Sequence, residues 1–158
     1  MQKQEPISIL VAGRPPILLS HVLIDFTGTL ARDGVLLPGV ATRLRRLSRR
    51  LKVVVATADT MNCAKRALKG LPIDLRFIKT GADKARLLDG LDASHVAAIG
   101  NGCNDLKMIR KAILSIAVVG PEGAYGALLA AADVVVHDVC DAFDLLSKPL
   151  RLLATLRE

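Results

Sequence analysis

The chain of 158 residues has few aromatic side chains and no tryptophan. Aromatic residues make up 3% of it, so its hydrophobic core must be built from Leu, Val, Ile and Ala. Few rings remain on which unpaired bases could stack, which argues against a platform for single-stranded nucleic acid. The three cysteines, Cys63, Cys103 and Cys140, are odd in number and form no CxxC pair. This usage is typical of a reducing compartment and predicts a cytoplasmic protein.

Long apolar runs are also missing. No run approaches the roughly 20 residues of a membrane-spanning helix, although the mean hydropathy is +0.39. The first residues lead into a short segment broken by Gly13, Arg14, Pro15 and Pro16, without a signal-peptide core or a cleavage site. We therefore expect no membrane span and no leader. With 51% hydrophobic and 23% charged residues, the composition is that of a folded domain.

Positive charge exceeds negative charge. Lys and Arg total 22 against 15 Asp and Glu, and the net charge of +7 favours an anionic partner or substrate. Six basic residues crowd one predicted helix and its end: Arg43, Arg45, Arg46, Arg49, Arg50 and Lys52. Such a run is usually a solvated face; the alternative is a surface for nucleic acid or an acidic partner. Nucleic-acid binding there would fall steeply with salt.

Short apolar runs alternate with segments of helical periodicity. The runs predict strands at 21–26, 51–56, 75–78, 95–99, 115–119 and 133–136. Several are apolar at consecutive positions, as expected for strands covered on both faces. Between them, stripes such as Val40, Leu44 and Leu47 recur at helical spacing. This alternation predicts an α/β protein of three layers, α/β/α, around a mostly parallel, Rossmann-like sheet.

The two ends of the chain depart from this alternation. Segments 7–11 and 17–19 flank the Gly-Pro stretch and predict a β-hairpin beside the first parallel strand. At the other end, an apolar stripe predicts a docking helix, broken near Pro149. We therefore expect a single domain over 1–158, with a hairpin extension at 1–20, a core at 21–140 and a helical segment at 141–158.

Polar residues follow the strands at the edge where parallel sheets bind ligands. Asp25 ends the first parallel strand, Thr57 and Asp59 end the second, and Asp105 follows the fourth. Lys84 lies near the start of a predicted helix. Carboxylates suit a hard cation such as Mg²⁺, while hydroxyl and ammonium groups suit phosphate oxygens. The set predicts a site for a phosphoryl group with Mg²⁺.

Four segments, DFTGTL, VVVATAD, DKARLL and AIGNGCND, resemble in order the four motifs of the haloacid dehalogenase superfamily of phosphatases and phosphotransferases. The resemblance covers about residues 21–140. DFTGTL is most similar to the P-type ATPase form of the first motif, so the chain looks like a soluble protein similar to the phosphorylation domain of those ATPases. Only 31 residues lie between Asp25 and Thr57, and 26 between Thr57 and Lys84. Neither gap leaves room for the cap or nucleotide-binding domains of other members.

The resemblance implies a role for each motif residue. Asp25 is the expected nucleophile, and the expected catalytic set is Asp25, Thr27, Thr57 and Lys84. Mg²⁺ would be bound by Asp25, the Thr27 carbonyl, Asp105 and, through water, Asn101. Phosphate would be held by the N–H groups after Asp25, at Phe26 and Gly28, and by Thr57, Ala58, Lys84 and Asn104. Lys79, at the preceding strand end, competes with Lys84 for the role of phosphate lysine.

Two positions depart from the pattern of the phosphatases. Their general acid and base, the second Asp of the first motif, is replaced by Thr27, whose hydroxyl does not exchange a proton near neutral pH. General acid–base help is worth about 10²–10⁴-fold, so we expect slow turnover or a long-lived aspartyl phosphate. Asn101 replaces an acidic residue of the metal loop, which weakens Mg²⁺ binding unless Asp59 compensates.

The sequence therefore predicts a Mg²⁺-dependent phosphatase without a cap, acting through phospho-Asp25 on a phosphorylated small molecule or phosphoprotein. Its open site either accepts a large substrate or is closed by a neighbouring subunit, so a homo-oligomer is a hypothesis. The alternative is a weakly active regulatory module that binds phosphate and Mg²⁺. A basic protein associated with nucleic acid is the third interpretation. No membrane partner is expected.

Overall fold

A parallel sheet of six strands lies at the centre of the structure, a computed structural model that describes residues 5–59 and 62–158. In chain order the described strands are β1 (Ile7–Ile9), β2 (Ile17–Leu19), β3 (His21–Asp25), β4 (Ala31–Arg32), β5 (Val35–Leu36), β6 (Lys52–Thr57), β7 (Asp74–Phe77), β8 (Val96–Gly100), β9 (Leu114–Val118) and β10 (Val134–Val136). The described helices are α1 (Val40–Leu47), α2 (Cys63–Ala67), α3 (Gly81–Gly90), α4 (Leu106–Lys111), α5 (Gly126–Ala131), α6 (Val139–Ser147) and α7 (Pro149–Leu156).

The order of strands across the sheet is β10-β9-β8-β3-β6-β7. The chain leaves β3 through β6 and β7, then returns to the other side of β3 with β8, β9 and β10. In register, Asp25 of β3 lies opposite Ala56 of β6, and Ile24 lies opposite Ile99 of β8. β3 is thus the point at which the strand order reverses. In such sheets ligands bind in the crevice at the carboxyl ends of the strands around that point.

Alternating side chains of the sheet point into two apolar layers. Val22 and Ile24 of β3 pack with residues of α1, α2, α6 and α7, while Leu23 packs with residues of α3, α4 and α5. β3, β8 and β9 are largely buried on both faces, which explains their runs of consecutive apolar residues. The predicted three-layer fold with a mostly parallel sheet is confirmed.

The predicted strands of the sheet agree with the observed ones to within one residue at each end. The predicted hairpin is β1–β2, which forms its own antiparallel sheet. A second antiparallel hairpin, β4–β5, was not predicted, because strands of two residues are too short to show a periodicity. The C-terminal helical segment begins at Val139, ahead of the expected 141, and breaks at Lys148 so that Pro149 opens α7.

Short segments connect the elements around the candidate site. Within the described residues, β4–β5 and α1 lie between β3 and β6, and α2 and β7 lie between β6 and α3. No additional domain interrupts these described segments, in agreement with the predicted absence of a cap. None of the helices in the described residues combines the length and apolarity needed to cross a membrane.

Candidate active site

Asp25 ends β3 at the centre of the carboxyl edge of the sheet. Asp25 is 5% exposed to solvent. Oδ1 accepts a hydrogen bond from Lys84 Nζ at 2.5 Å, and Oδ2 accepts one from Thr29 Oγ1 at 3.2 Å. A carboxylate with both oxygens held in this way has a fixed orientation, which a nucleophile requires.

Lys84 comes from α3 and is completely buried. Its Nζ donates to Asp25 Oδ1 at 2.5 Å and to Asp105 Oδ1 at 2.6 Å, so one ammonium joins two carboxylates. A Cβ on Gly81, in the first turn of α3, would lie 2.5 Å from the carbonyl oxygen of Asn104. Only glycine permits this approach of α3 to the loop. Of the two competing lysines, Lys84 contacts Asp25, whereas Lys79 is exposed.

Asp105 lies below the site and is completely buried. Its Oδ1 accepts from Lys84, and its Oδ2 accepts from the N–H groups of Asn101 at 3.1 Å and Gly102 at 2.9 Å. Asp105 therefore holds Lys84 and the loop after β8 in place. Its expected role as a direct metal ligand stays a prediction, and this geometry does not favour it because both oxygens already have donors.

The buried charges alter the acidity of the site. Burial away from water, together with the negative charge of Asp105, raises the pKa of Asp25 to about 6, although Lys84 acts in the opposite direction. Burial by itself would lower the pKa of Lys84, but the two adjacent carboxylates outweigh it and raise that pKa above its ordinary value. Lys84 is therefore a fixed positive charge, and Asp25 is ionised at and above neutral pH.

Thr29 is a site residue to which the sequence assigned no role. It is completely buried, and its Oγ1 lies 3.2 Å from Asp25 Oδ2 and 3.1 Å from Asn101 Oδ1, so its single proton serves one acceptor at a time. Asn101 Nδ2 donates to the carbonyl of Gly123 at 3.0 Å. This bond turns the amide oxygen of Asn101 towards Thr29 and Asp25. The sequence feature that could have identified Thr29 as a site residue was its position within the motif DFTGTL.

Thr57 and Asp59 occupy the end of β6. The N–H of Asp59 donates to Thr57 Oγ1 at 3.1 Å, which leaves the hydroxyl proton of Thr57 for another acceptor such as a phosphate oxygen. Asp59 Oδ2 accepts from the N–H of Ala64 at 2.6 Å, so this carboxylate ties the strand end to α2. Compensation by Asp59 for the missing metal ligand stays a prediction.

A cavity of about 440 Å³ opens at this edge of the sheet. It is lined by Asp25, Thr27, Thr57, Ala58, Asp59, Asn101, Gly102 and Asn104. Lys84 and Asp105 are buried beneath it, and the Phe26 side chain packs into the core. A larger cavity of about 570 Å³ lies between β7 and α3, but Asp25, Thr57 and Asn101 do not line it.

Gly28 is packed tightly against this site. Its φ of +75° is a left-handed conformation that favours glycine, and a Cβ there would lie 2.6 Å from Asn101 Nδ2. Its N–H donates to the carbonyl of Ala31 at 2.9 Å. The expected contribution of the Gly28 N–H to phosphate binding stays a prediction, and this N–H already has an acceptor in the turn.

The residues around the cavity fit a hard cation such as Mg²⁺. The Asp25 carboxylate, the Thr27 carbonyl and the amide oxygen of Asn101 are oxygen donors from residues that line one cavity. The bond from Asn101 to Gly123 orients that amide oxygen. Within the described residues, no group of three His, Cys, Asp or Glu side chains is placed to hold a metal. The candidate metal site therefore depends on neutral oxygens in addition to Asp25.

Comparison of the sequence with known proteins identifies an uncharacterized relative. No family model matches the chain. The uncharacterized protein MJ0073 of Methanocaldococcus jannaschii is 46% identical over 63 residues, which are 40% of this chain and 68% of that protein.

Solved structures share the fold. The 3-deoxy-D-manno-octulosonate 8-phosphate phosphatase of Moraxella catarrhalis, in complex with magnesium, phosphate and KDO, has a TM-score of 0.72 at 22% identity, over 87% of this chain and 92% of that one. The cobalt-bound form of the deoxy-D-mannose-octulosonate 8-phosphate phosphatase of Haemophilus influenzae has a TM-score of 0.70 at 18% identity, over 83% and 88%. At these identities the likeness shows the fold.

Proposed function

Because the chain belongs to the same family as the uncharacterized protein MJ0073 and has the fold of haloacid dehalogenase phosphatases, we propose that it is a Mg²⁺-dependent phosphohydrolase acting through phospho-Asp25. One observation carries the proposal: Lys84, completely buried, joins Asp25 and Asp105 directly beneath a polar cavity. Burying three charges together is costly in free energy. A site for a reacting anion explains why the fold retains them.

In the first step a carboxylate oxygen of Asp25 attacks the phosphorus of the substrate. A P–O bond forms to Asp25, the bond to the leaving group breaks, and the leaving oxygen takes the electron pair. Lys84 and the hydroxyl of Thr57 offset the charge on the phosphoryl oxygens. Thr29 holds the second oxygen of Asp25, so the attacking oxygen stays oriented.

Mg²⁺ would be held by Asp25, the Thr27 carbonyl and Asn101, and when bound it would supply positive charge to the phosphoryl oxygens. Asn104 also lines the cavity and is placed to donate to the same oxygens. Asp105 acts through Lys84 and the loop after β8, whose positions it maintains. The machinery therefore consists of one nucleophile, one fixed cation and several neutral donors.

In the second step water attacks the phosphorus of phospho-Asp25, releases inorganic phosphate and regenerates the carboxylate. Neither step has a carboxylic acid at position 27. The resemblance to the phosphatases implies an acid there, and Thr27 lines the cavity in its place. Loss of general acid–base help costs about 10²–10⁴-fold. Substrates whose leaving groups need no proton, such as acyl and aryl phosphates, should react fastest.

The cavity of about 440 Å³ is large enough for a phosphoryl group with a small organic moiety. The Moraxella phosphatase of the same fold was solved with magnesium, phosphate and KDO, which supports a small phosphorylated substrate here as well. The odd number and wide spacing of the cysteines are consistent with a reducing cytoplasm as the compartment.

A regulatory module that binds Mg²⁺ and phosphate with little turnover is the second candidate. Thr27 and Asn101 favour it, because both remove groups that speed hydrolysis without removing Lys84 or Thr57. The structure does not favour the nucleic-acid hypothesis in the same way, because two residues of the basic run already have an acidic partner. Arg43 and Arg46 pair with Asp144 and thereby attach α1 to α6.

The decisive experiment measures phosphate release from acetyl phosphate and p-nitrophenyl phosphate with Mg²⁺, for the wild type and for Asp25→Asn. This substitution keeps the size of the side chain and removes the nucleophile. Asp141→Asn, on the exposed surface of α6, is the matched control. We expect release by the wild type and the control, none by Asp25→Asn, and none by any of them in EDTA.

Equal background rates for the wild type and Asp25→Asn on both substrates would contradict the hydrolase. Binding of phosphate and Mg²⁺ without turnover would then favour the regulatory module. Release that survives Asp25→Asn would show that another group is the nucleophile.

A further inference from the structure

The loop that follows β9 is attached to the candidate site at several points. The carbonyl of Gly123 accepts from Asn101 Nδ2 at 3.0 Å, and the N–H of Tyr125 donates to the carbonyl of Asn101 at 2.8 Å. A Cβ on Gly120 would lie 2.9 Å from the carbonyl oxygen of Gly28. This loop, residues 119–125, therefore packs on both the first motif and Asn101.

Glu122 projects from this loop towards the first motif. A Cβ on Gly28 would lie 2.9 Å from Glu122 Oε2 and 2.6 Å from Asn101 Nδ2, so the Glu122 carboxylate and the Asn101 amide share the space beside Gly28. Glu122 is exposed to solvent. The sequence contains three glutamates, and the other two, Glu5 and Glu158, lie close to its ends.

The charge of the site shows why a carboxylate is useful there. Lys84 and Asp105 offset each other, which leaves Asp25 as the one uncompensated anion among these three groups. Mg²⁺ in proteins is usually held by one or two carboxylates with waters and other oxygens. Asn101 contributes an amide oxygen without charge. Asp59 also lines the cavity, but its Oδ2 accepts from the Ala64 N–H beyond the end of β6. An anion beside Asn101 would add the negative charge that the amide lacks.

We propose that Glu122 supplies the second carboxylate of the Mg²⁺ site, from the loop after β9, in place of the acidic residue that Asn101 replaces. The inference rests on the proposed Mg²⁺-dependent function. Gly28 and the attachment of Gly123 to Asn101 place Glu122 next to the Asn101 amide, which lines the cavity. Glu122, in the loop after β9, thus supplies the negative charge that is missing at Asn101, in the loop after β8.

Titration of the substrate-free protein with Mg²⁺ by calorimetry tests this role. Loss of a residue that supports a metal site typically lowers affinity by about 10–100-fold, and we expect E122Q to weaken Mg²⁺ binding by about 10-fold. The control is E158Q, which makes the same chemical change at the end of the chain and should bind Mg²⁺ as the wild type does. Mg²⁺ affinity for E122Q equal to that of the wild type would overturn the proposal.

A double-mutant cycle with N101D tests whether Glu122 stands in for position 101. N101D restores an acid in the loop, so the additional substitution E122Q should then weaken Mg²⁺ binding much less than it does in the wild type. The same fold-loss in both backgrounds would overturn the idea of replacement.

The two proposals fail in different ways. Phosphate release that depends on Asp25, together with unaltered Mg²⁺ affinity in E122Q, would overturn the role of Glu122 and leave the phosphohydrolase intact. Mg²⁺ affinity that depends on Glu122, without phosphate release, would support the role of Glu122 and contradict the hydrolase. Absence of Mg²⁺ binding by the wild type in the millimolar range would overturn the role of Glu122.

Discussion

Substitution of Lys84 by methionine tests the central electrostatic feature of the site. Methionine has a similar length and an unbranched shape, so it fills the same space without the charge. In the folded variant Asp25 and Asp105 remain buried and lose the ammonium at 2.5 and 2.6 Å from their oxygens. Two like charges then face each other without a cation.

The expected loss of stability is large. Removing one partner from a buried ion pair costs about 3–5 kcal/mol, because the remaining charge is left without compensation. For a domain of this size each kcal/mol lowers the melting temperature by about 2–4 °C. Lys84→Met should therefore melt roughly 6–20 °C below the wild type.

Urea unfolding monitored by circular dichroism, at pH 8 and in EDTA, measures this loss without compensation by a metal. Lys79→Met is the control, since Lys79 is exposed and the same substitution there should change stability by less than about 0.5 kcal/mol. The deficit of Lys84→Met should shrink from pH 8 to pH 5, because loss of the ammonium raises the pKa of Asp25 further and the folded variant takes up a proton there more readily.

A deficit below about 1 kcal/mol at pH 8 would refute the reasoning, since it falls short of the cost of an uncompensated buried charge. So would a deficit that is the same at pH 5, because the destabilisation would then come from packing and not from charge.

Three further outcomes are expected. Thr27→Asp, which restores the acid, should speed hydrolysis of alkyl phosphates by up to about 10²–10⁴-fold, more than that of acetyl phosphate; an equal effect on both substrates would contradict a role in leaving-group protonation. Gly28→Ala should destabilise the fold by about 1 kcal/mol or more in urea unfolding, since φ is +75° and its Cβ would meet Asn101; unchanged stability would contradict this packing. The pKa of Asp25 is raised from 3.8 to about 6 in the folded protein, so protonation of Asp25 stabilises the fold. In EDTA this contribution to the free energy of unfolding is complete below pH 4, and up to about 3 kcal/mol of it is lost as pH rises through 6. Asp25→Asn should abolish that pH dependence, and a slope that persists would assign it to another group.

Much of the architecture could be predicted from local patterns. Consecutive apolar residues in β3, β8 and β9 report burial on both faces, which is a property of each segment and its immediate neighbours. The polar residues after these strands indicated the right edge of the sheet, because parallel strands carry their carboxyl ends to one side. The replacement of the acid by Thr27 was also visible in the sequence, since the motif fixes its position.

The contacts that define the site required the tertiary structure. Lys84 reaches both Asp25 and Asp105 only because β8 returns beside β3 and α3 approaches the loop at Gly81. Neither the strand order nor this approach leaves a periodic signal. The sequence could not decide between Lys79 and Lys84 for the same reason: both follow strand β7, and only packing shows which is buried.

The succession of strands and helices, the chemical groups at the strand ends and the missing acid at position 27 thus follow from the amino-acid sequence. Three contacts follow only from the folded arrangement: Asp105 holds Lys84, Thr29 and Gly123 orient Asn101, and Glu122 lies beside Gly28. Local periodicity depends on the burial of residues a few positions apart. Contacts between residues 20 to 100 positions apart depend on how the sheet is assembled, and the same local pattern is compatible with several assemblies.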